Sequence, residues 1–417
     1  MVEGGRMAQW SRRTGAFCAV ALALALAGSA RAELPTASPP PPEVPIVPQE
    51  RLLLEGFEAM RLGDSEKAMD TFSALSRDNP DFRLAQLIHA DLLLGRTRFL
   101  KDFGEGALAR KKVNGHVYTV EMLLEETQAR LGYAAQRPPP GWLPKELLHL
   151  SPQFLSVVVV DLTWSRFYLF QNRDGLPVLT ADYYISIAKN GFDKSKEGDK
   201  RTPLGLYFIT EYYSPEKLDD FYGSGALPLN YPNEWDQLHN RGGSGIWLHG
   251  TPYGLYSRPP RSTEGCVALT NPDFLELTQR VNLGAPVVLS KNVHWMAPDA
   301  WKTWRAHFAK QMEAWRADWS SRDASRVLRH YSAEFRNSLQ DGRSWRGVLP
   351  EWLNLSPPAA MREGSLSILG YPGSEEMVVV TFEQDPVGLG PDAWNRRRQY
   401  WRQEGDGQWK IIFEDQV

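Results

Sequence analysis

Apolar positions in the first third of the chain recur at three- and four-residue steps. Leu53, Phe57 and Met60 form one such series and Ala68, Phe72 and Leu75 a second, with Gly63-Asp64 as a turn between them and Pro80 closing the second. This is the period of amphipathic helices, so residues 50–135 are expected to be helical. The stretch "QRPPPGWLP", Gln136 to Pro144, cannot continue a helix and marks a boundary. Beyond it the pattern changes to short runs: "LSVVVVDL", "SRFYLFQ", "LTADYYISIA", "GLYFITEYY", "SGIWLHG" and "APVVLSKN", separated by Gly, Pro and Asn/Asp turns. Such runs predict strands, and 151–292 is read as a mostly-β domain. From about residue 300 a long amphipathic helix, a turn at Ser320-Ser321 and a shorter helix precede two alternating segments with a "GDG" turn, which predicts an α+β domain over 300–417. The fold class expected is therefore multidomain: N-terminal α-helical, central mostly-β, C-terminal α+β.

Composition narrows the picture a little. Of 417 residues, 42% are hydrophobic and 23% charged, which suits a globular chain with room for two or three domains at about 150 residues each. A formal net charge of -3 gives no electrostatic case for nucleic acid, and none is expected as a partner. At the N-terminus, Arg12 and Arg13 precede an apolar run from Gly15 to Gly28, and "ARA" at Ala30–Ala32 supplies small residues for cleavage. Residues 1–32 are read as a secretory signal peptide, since the run is shorter than the about 20 residues of a membrane span. Residues 33–49, rich in proline, are read as an extended linker. The protein is expected to be exported, to the periplasm or cell wall.

Export gives the cysteines meaning. The chain has two, Cys18 and Cys266, and removal of the signal leaves Cys266 alone, with no partner in a compartment that favours disulfides. Cys266 follows Gly265 in "STEGCVALTN". His249 stands seventeen residues upstream in "GIWLHGTPYG", at the end of an apolar run where the chain must turn. A thiol acts as a nucleophile through its thiolate, which needs a base to form and donors to hold the oxyanion it creates; a strand-end histidine and a Gly-Cys pair are suitable parts, and a buried structural histidine with an inert thiol is the competing reading. No metal-ligand spacing and no phosphate-cradling glycine motif is present, so no metal or cofactor is expected.

"IWLHGT" followed by "STEGCVALTNPD" resembles the signature of the L,D-transpeptidase (YkuD-type) catalytic domain, and "KSKEGDKRTPLGLYFI" resembles that family's upstream stretch, particularly in its YafK-like branch. The resemblance covers roughly residues 155–290. It implies Cys266 as nucleophile, His249 as base, Gly250 as the residue whose carbonyl orients the imidazole, and backbone amides of Gly265 and Cys266 as the oxyanion hole. The substrate it implies is a peptidoglycan stem peptide: the thiolate attacks the bond between meso-diaminopimelate and D-alanine, forms a thioester, and passes the acyl group to an amine. The alternatives are an L,D-carboxypeptidase that uses water, and a non-catalytic wall-binding scaffold.

Two positions depart from the commoner family pattern. Glu264 stands where many members have histidine, and no arginine stands at Ala268. A carboxylate beside the thiol raises its pKa, so Glu264 is expected to point outward or to pair with Arg258 or Arg261. Arg201, Arg258 and Arg261 are the candidate replacements for binding a substrate carboxylate, while Trp235, Trp247, Tyr253 and Tyr256 are candidate walls of a cleft. The helical segment resembles a single tetratricopeptide-type hairpin. "AWRADWSSRDASRVLRHYSAEFR" and the closing "RQYWRQEGDGQWKIIFED" resemble an NTF2-like domain, and a YkuD-type domain followed by such a domain resembles the arrangement in cell-shape-determining L,D-carboxypeptidases. A protein or ligand partner is expected for these outer domains.

Overall fold

A computed structural model describes residues 47–106, 112–113, 116–117, 119–337, 342–355, 361–373, 375–384 and 395–417. The expected signal peptide and nearly all of the proline-rich linker lie outside the described residues. Among those described, no helix is long and apolar enough to cross a membrane.

The helical segment forms where its caps place it. Pro48–Leu62 ends on Gly63, which adopts the left-handed φ of 78° that favours glycine, and Ser65–Asp78 begins on Asp64, whose carboxylate accepts from Lys67 N at 3.0 Å. Arg83–Gly95 and Val120–Gln136 follow, the latter capped by Thr119. Leu53, Phe72, Leu75, Phe82 and Ile88 are buried together at their centre.

The central domain is a nine-stranded sheet built from β1 (Ser156–Asp161), β2 (Arg166–Arg173), β3 (Leu176–Ala188), β4 (Gly205–Phe208), β5 (Ala226–Pro228), β6 (Trp247–His249), β7 (Arg261–Thr263), β8 (Val267–Leu269) and β9 (Pro286–Ser290). Its order is β4-β9-β1-β2-β3-β8-β6-β5, with β7 paired to β3. Bridges between Ile209 and Leu229 and between Tyr213 and Ala226 join the two ends of that order, so the sheet curls back on itself. The unbroken "VVVV" in β1 follows from burial of both faces. Val158 and Val160 face an interior shared with Leu169, Ile185, Leu248 and Val267, whereas Val157 and Val159 face a second core with Leu369, Tyr371, Val379 and Tyr400 of the C-terminal domain.

That C-terminal domain consists of helices Pro298–Ser321, Ala324–Leu328 and Gly342–Leu355 against β10 (Tyr331–Arg336), β11 (Ser367–Tyr371), β12 (Met377–Gln384), β13 (Asn395–Gln403) and β14 (Trp409–Gln416). A sixth strand comes from far upstream. Leu147–His149, inside the stretch between the expected helical and catalytic domains, pairs antiparallel with β11 at the edge of the sheet. Trp235, expected in the wall of a cleft, instead stacks on Tyr400 at 5.4 Å between centroids, and its neighbour Glu234 accepts from Arg398 at 2.7 Å and Tyr400 at 3.1 Å. It therefore joins the central and C-terminal domains. Tyr256, also expected in the wall, packs on Phe82 of the helical segment at 4.5 Å.

Candidate active site

The site is assembled by two short parallel strands. β6 and β8 pair in the register Leu248 to Val267 and His249 to Ala268. Side chains alternate along an extended chain, so Cys266, two positions before Ala268, projects on the same face as His249. The loop that delivers the cysteine needs Gly265: its φ is +150°, and an added Cβ lies 2.9 Å from Ile246 Cδ1. Thr263 Oγ1 donates to Cys266 O at 2.7 Å and closes the loop.

His249 is fully buried, and its Nδ1 lies 2.6 Å from Gly250 O. A carbonyl only accepts, so the proton sits on Nδ1 and the lone pair on Nε2. Nε2 is buried without a hydrogen-bond partner. Burial, reinforced by the charge of Arg258, pushes the imidazole down to about 3. Cys266 is half-buried, and its Sγ donates to Gly245 O at 3.3 Å. Desolvation of the sulfur pushes the thiol up to about 11, against the Trp247 N–H and the charges of Arg258 and Lys194. The resting pair is thus a neutral thiol and a neutral imidazole with its acceptor nitrogen open.

Gly250 is fixed from behind by a residue that the motif reading passed over. Asn271 Oδ1 accepts from Ser224 N at 2.9 Å and Thr251 N at 3.1 Å, while its Nδ2 donates to Thr251 O at 2.8 Å. A Cβ on Gly250 would run into that same Oδ1. The Gly250 peptide, and with it the carbonyl that sets the histidine tautomer, is therefore held by one side chain at the start of the helix Asn271–Thr278. The only hint in the sequence is its place five residues after the cysteine.

Other expected residues divide. Trp247 is half-buried and stands 4.9 Å from Tyr222 and 5.5 Å from Tyr213; Tyr222 and Phe221 lie 5.2 and 5.8 Å from the His249 ring, so the wall is built partly from a "DFYG" turn that sequence reasoning missed. Tyr253, Arg201 and Arg261 are exposed. Arg258 is buried: it donates to Ser262 O at 2.6 Å, and its guanidinium lies 4.7 Å from the Phe221 centroid. The Gly265 N–H, assigned to the oxyanion hole, is engaged with Thr263 Oγ1 at 3.3 Å and so is turned toward that hydroxyl.

The "KSKEGDKRTP" stretch has a structural logic. Asp199 accepts from Lys194 at 2.9 Å and from the backbone of Ser195, Lys196 and Arg201, and these donors outweigh burial to hold its carboxyl at about 2. Glu264 does point outward, but its partners are Lys200 at 3.2 Å and Lys189 at 3.3 Å, whose hydrogen bonds lower its pKa. All three side chains are about half exposed or more, so the pairs are screened. Glu264→Gln is expected to change carbapenem acylation by less than about threefold and stability by less than about 1 kcal/mol, measured by intact mass and thermal melting.

Residues 156–289 match the YkuD L,D-transpeptidase catalytic domain. The central domain is a YkuD-type catalytic domain. It is a cysteine-dependent domain of the L,D-transpeptidase kind, and the family acts on peptidoglycan peptides. Residues 307–415 match the Cds6 C-terminal NTF2-like domain, so the YkuD domain is followed by an NTF2-like one. Two solved structures share the fold across both. Bd1075 of Bdellovibrio bacteriovorus is 25% identical with a TM-score of 0.56, covering 66% of this chain and 98% of its own. The helical cell shape determining protein Pgp2 of Campylobacter jejuni is 22% identical with a TM-score of 0.53, covering 65% of this chain and 95% of its own. No curated protein matches the chain at a significant level.

Proposed function

We propose that the chain is an exported peptidoglycan L,D-transpeptidase in which Cys266 is the nucleophile and His249 the base. The observation that carries this reading is the placement, on one face of adjacent parallel strands in a YkuD-type domain, of a thiol and an imidazole whose Nε2 has no hydrogen-bond partner. The thiol turns from Gly245 O to His249 Nε2 and gives up its proton. The thiolate attacks the carbonyl carbon between meso-diaminopimelate and the terminal D-alanine. The Cys266 amide serves the developing oxyanion, joined by the Gly265 amide once its long bond to Thr263 opens. As the C–N bond breaks, the imidazolium protonates the leaving amine, and a thioester remains. An amine from another stem then loses its proton to His249 and takes the acyl group, which forms a 3-3 cross-link and restores the thiol. Gly250 keeps the imidazole in the reactive tautomer. The exposed Arg201 and Arg261 are assigned the substrate carboxylates and Trp247 and Tyr253 the approach, and the buried charge of Arg258 favours the thiolate.

A second reading has water as the acceptor, which makes the enzyme an L,D-carboxypeptidase that trims tetrapeptide to tripeptide. The YkuD and NTF2-like arrangement shared with a helical cell shape determining protein favours it. Incubation of the purified protein with disaccharide-tetrapeptide, followed by mass spectrometry of the muropeptides, separates the two. Cross-linked dimers are the expected product, tripeptide without dimers selects hydrolysis, and unchanged substrate with no carbapenem adduct overturns both.

A further inference from the structure

The helices that precede the catalytic sheet meet it through a polar network withdrawn from water. Glu50 accepts from Arg166 of β2 at 2.6 Å and also from Arg130, and Arg130 donates through Nε at 3.0 Å and a terminal nitrogen at 2.8 Å to Glu126 Oε1. None of these four side chains is more than 3% exposed. Burying four charges costs more than burying apolar groups of the same size, so adhesion alone does not account for them; what their directional bonds add is a fixed geometry.

That geometry reaches the loop between His249 and Cys266. Glu126 Oε1 accepts a further bond from Ser257 Oγ at 2.7 Å. On one side of Ser257, Tyr256 N donates to Asp81 O at 3.1 Å and its ring lies against Phe82. On the other side, Arg258 O accepts from Tyr184 at 3.0 Å and Ser186 at 2.8 Å, and the Arg130 guanidinium lies 3.8 Å above the Tyr184 ring. Three successive residues are thus fixed by groups that the helices supply or cover. The last of them is Arg258, whose guanidinium spans from Ser262 O to Phe221, the neighbour of His249.

We propose that the N-terminal helices are a positioning brace for the active site: Glu126 and Arg130 fix the Tyr256–Arg258 segment, and through it the Arg258 cation and the loop that delivers Cys266. This assigns the helical segment a role within the enzyme. It rests on the assignment of Cys266 and His249 above.

The test uses full-length protein carrying Ser257→Ala, with three readouts: the rate of carbapenem acylation by intact mass, hydrogen exchange of peptides spanning 251–263, and the thermal midpoint. Acylation is expected to slow about tenfold and exchange of 251–263 to quicken, with little change in midpoint, because misplacing a reacting group costs rate before it costs stability. Ser257→Thr, which keeps the hydroxyl, is expected to restore both. Wild-type acylation together with wild-type exchange overturns the brace, as does a loss of rate that follows a lowered midpoint and is not restored by threonine. Should Ser257→Ala fail to fold, Glu126→Gln takes its place under the same readouts. If the wild type takes no adduct, the Cys266 assignment falls instead, and exchange of 251–263 alone decides whether the helices hold the loop.

Discussion

Acylation of the His249→Ala protein by a carbapenem is expected to be about a thousandfold slower than that of the wild type at pH 7, and to depend on pH in a different way. In the wild type the pair holds one proton across a wide range: the imidazole gains a second only near its depressed value of about 3, and the pair loses the last only near the thiol's raised value of about 11. Moving that one proton from sulfur to Nε2 leaves the total unchanged, so the rate is expected to be flat from about pH 5 to 9. With alanine at 249 the thiolate forms only by loss of a proton to water. At pH 7, four units below a thiol value of about 11, roughly one molecule in 10,000 is ionised. The rate then rises about tenfold per pH unit toward that value. A flat profile in the variant shows that another group is the base, and a sloping profile in the wild type shows that the imidazole is not coupled to the thiol.

The second large effect is expected at Asn271. Asn271→Ala removes three hydrogen bonds at once and leaves Ser224 N, Thr251 N and Thr251 O without that partner. At about 1 kcal/mol each, and more for a group left unsatisfied, a loss of roughly 2–4 kcal/mol is expected in denaturant unfolding. Catalysis is expected to suffer as well. The Gly250 carbonyl no longer has a fixed place, the Nδ1 proton loses its acceptor, and the fraction of imidazole with Nε2 open falls. Asn271→Asp keeps the two accepted bonds and loses the donated one, so its acylation rate is expected to lie between those of the wild type and alanine. Equal rates for all three show that Gly250 holds its position unaided.

Much of this was legible in the residues because local signals and chemistry agreed. The three-and-four spacing, Gly63 and Asp64 marked the first helices, and the histidine-glycine and Gly-Cys pieces marked the two strands that meet at the site. What could not be read follows from partners distant in sequence. An aromatic side chain announces burial but not which core receives it, so Trp235 and Tyr256 read as cleft walls although each packs against a different domain. Glu264 was correctly expected to face outward, yet its lysines come from the end of β3 and from the turn after Asp199, brought together only by the folded sheet. Asn271 carries no local signal beyond its distance from the cysteine, and only the tertiary structure shows Ser224 and Thr251 converging on its amide. Strand Leu147–His149 has three residues, too few for a periodic signal, and its position is set by the sheet edge it completes.

That short strand has a consequence for how the chain is made. Its partner in β11 begins more than two hundred residues later, so Leu147 and Leu148, both buried in the finished protein, have no strand to pair with until the C-terminal domain has been synthesised. The NTF2-like unit is therefore discontinuous along the polypeptide, and the catalytic sheet is threaded between its first strand and the rest. A chain cut after residue 292 keeps every residue of the candidate site but exposes that strand and the outer faces of Val157 and Val159 to solvent. The boundary between catalytic and C-terminal domains is a seam in space, and no single cut in the sequence follows it.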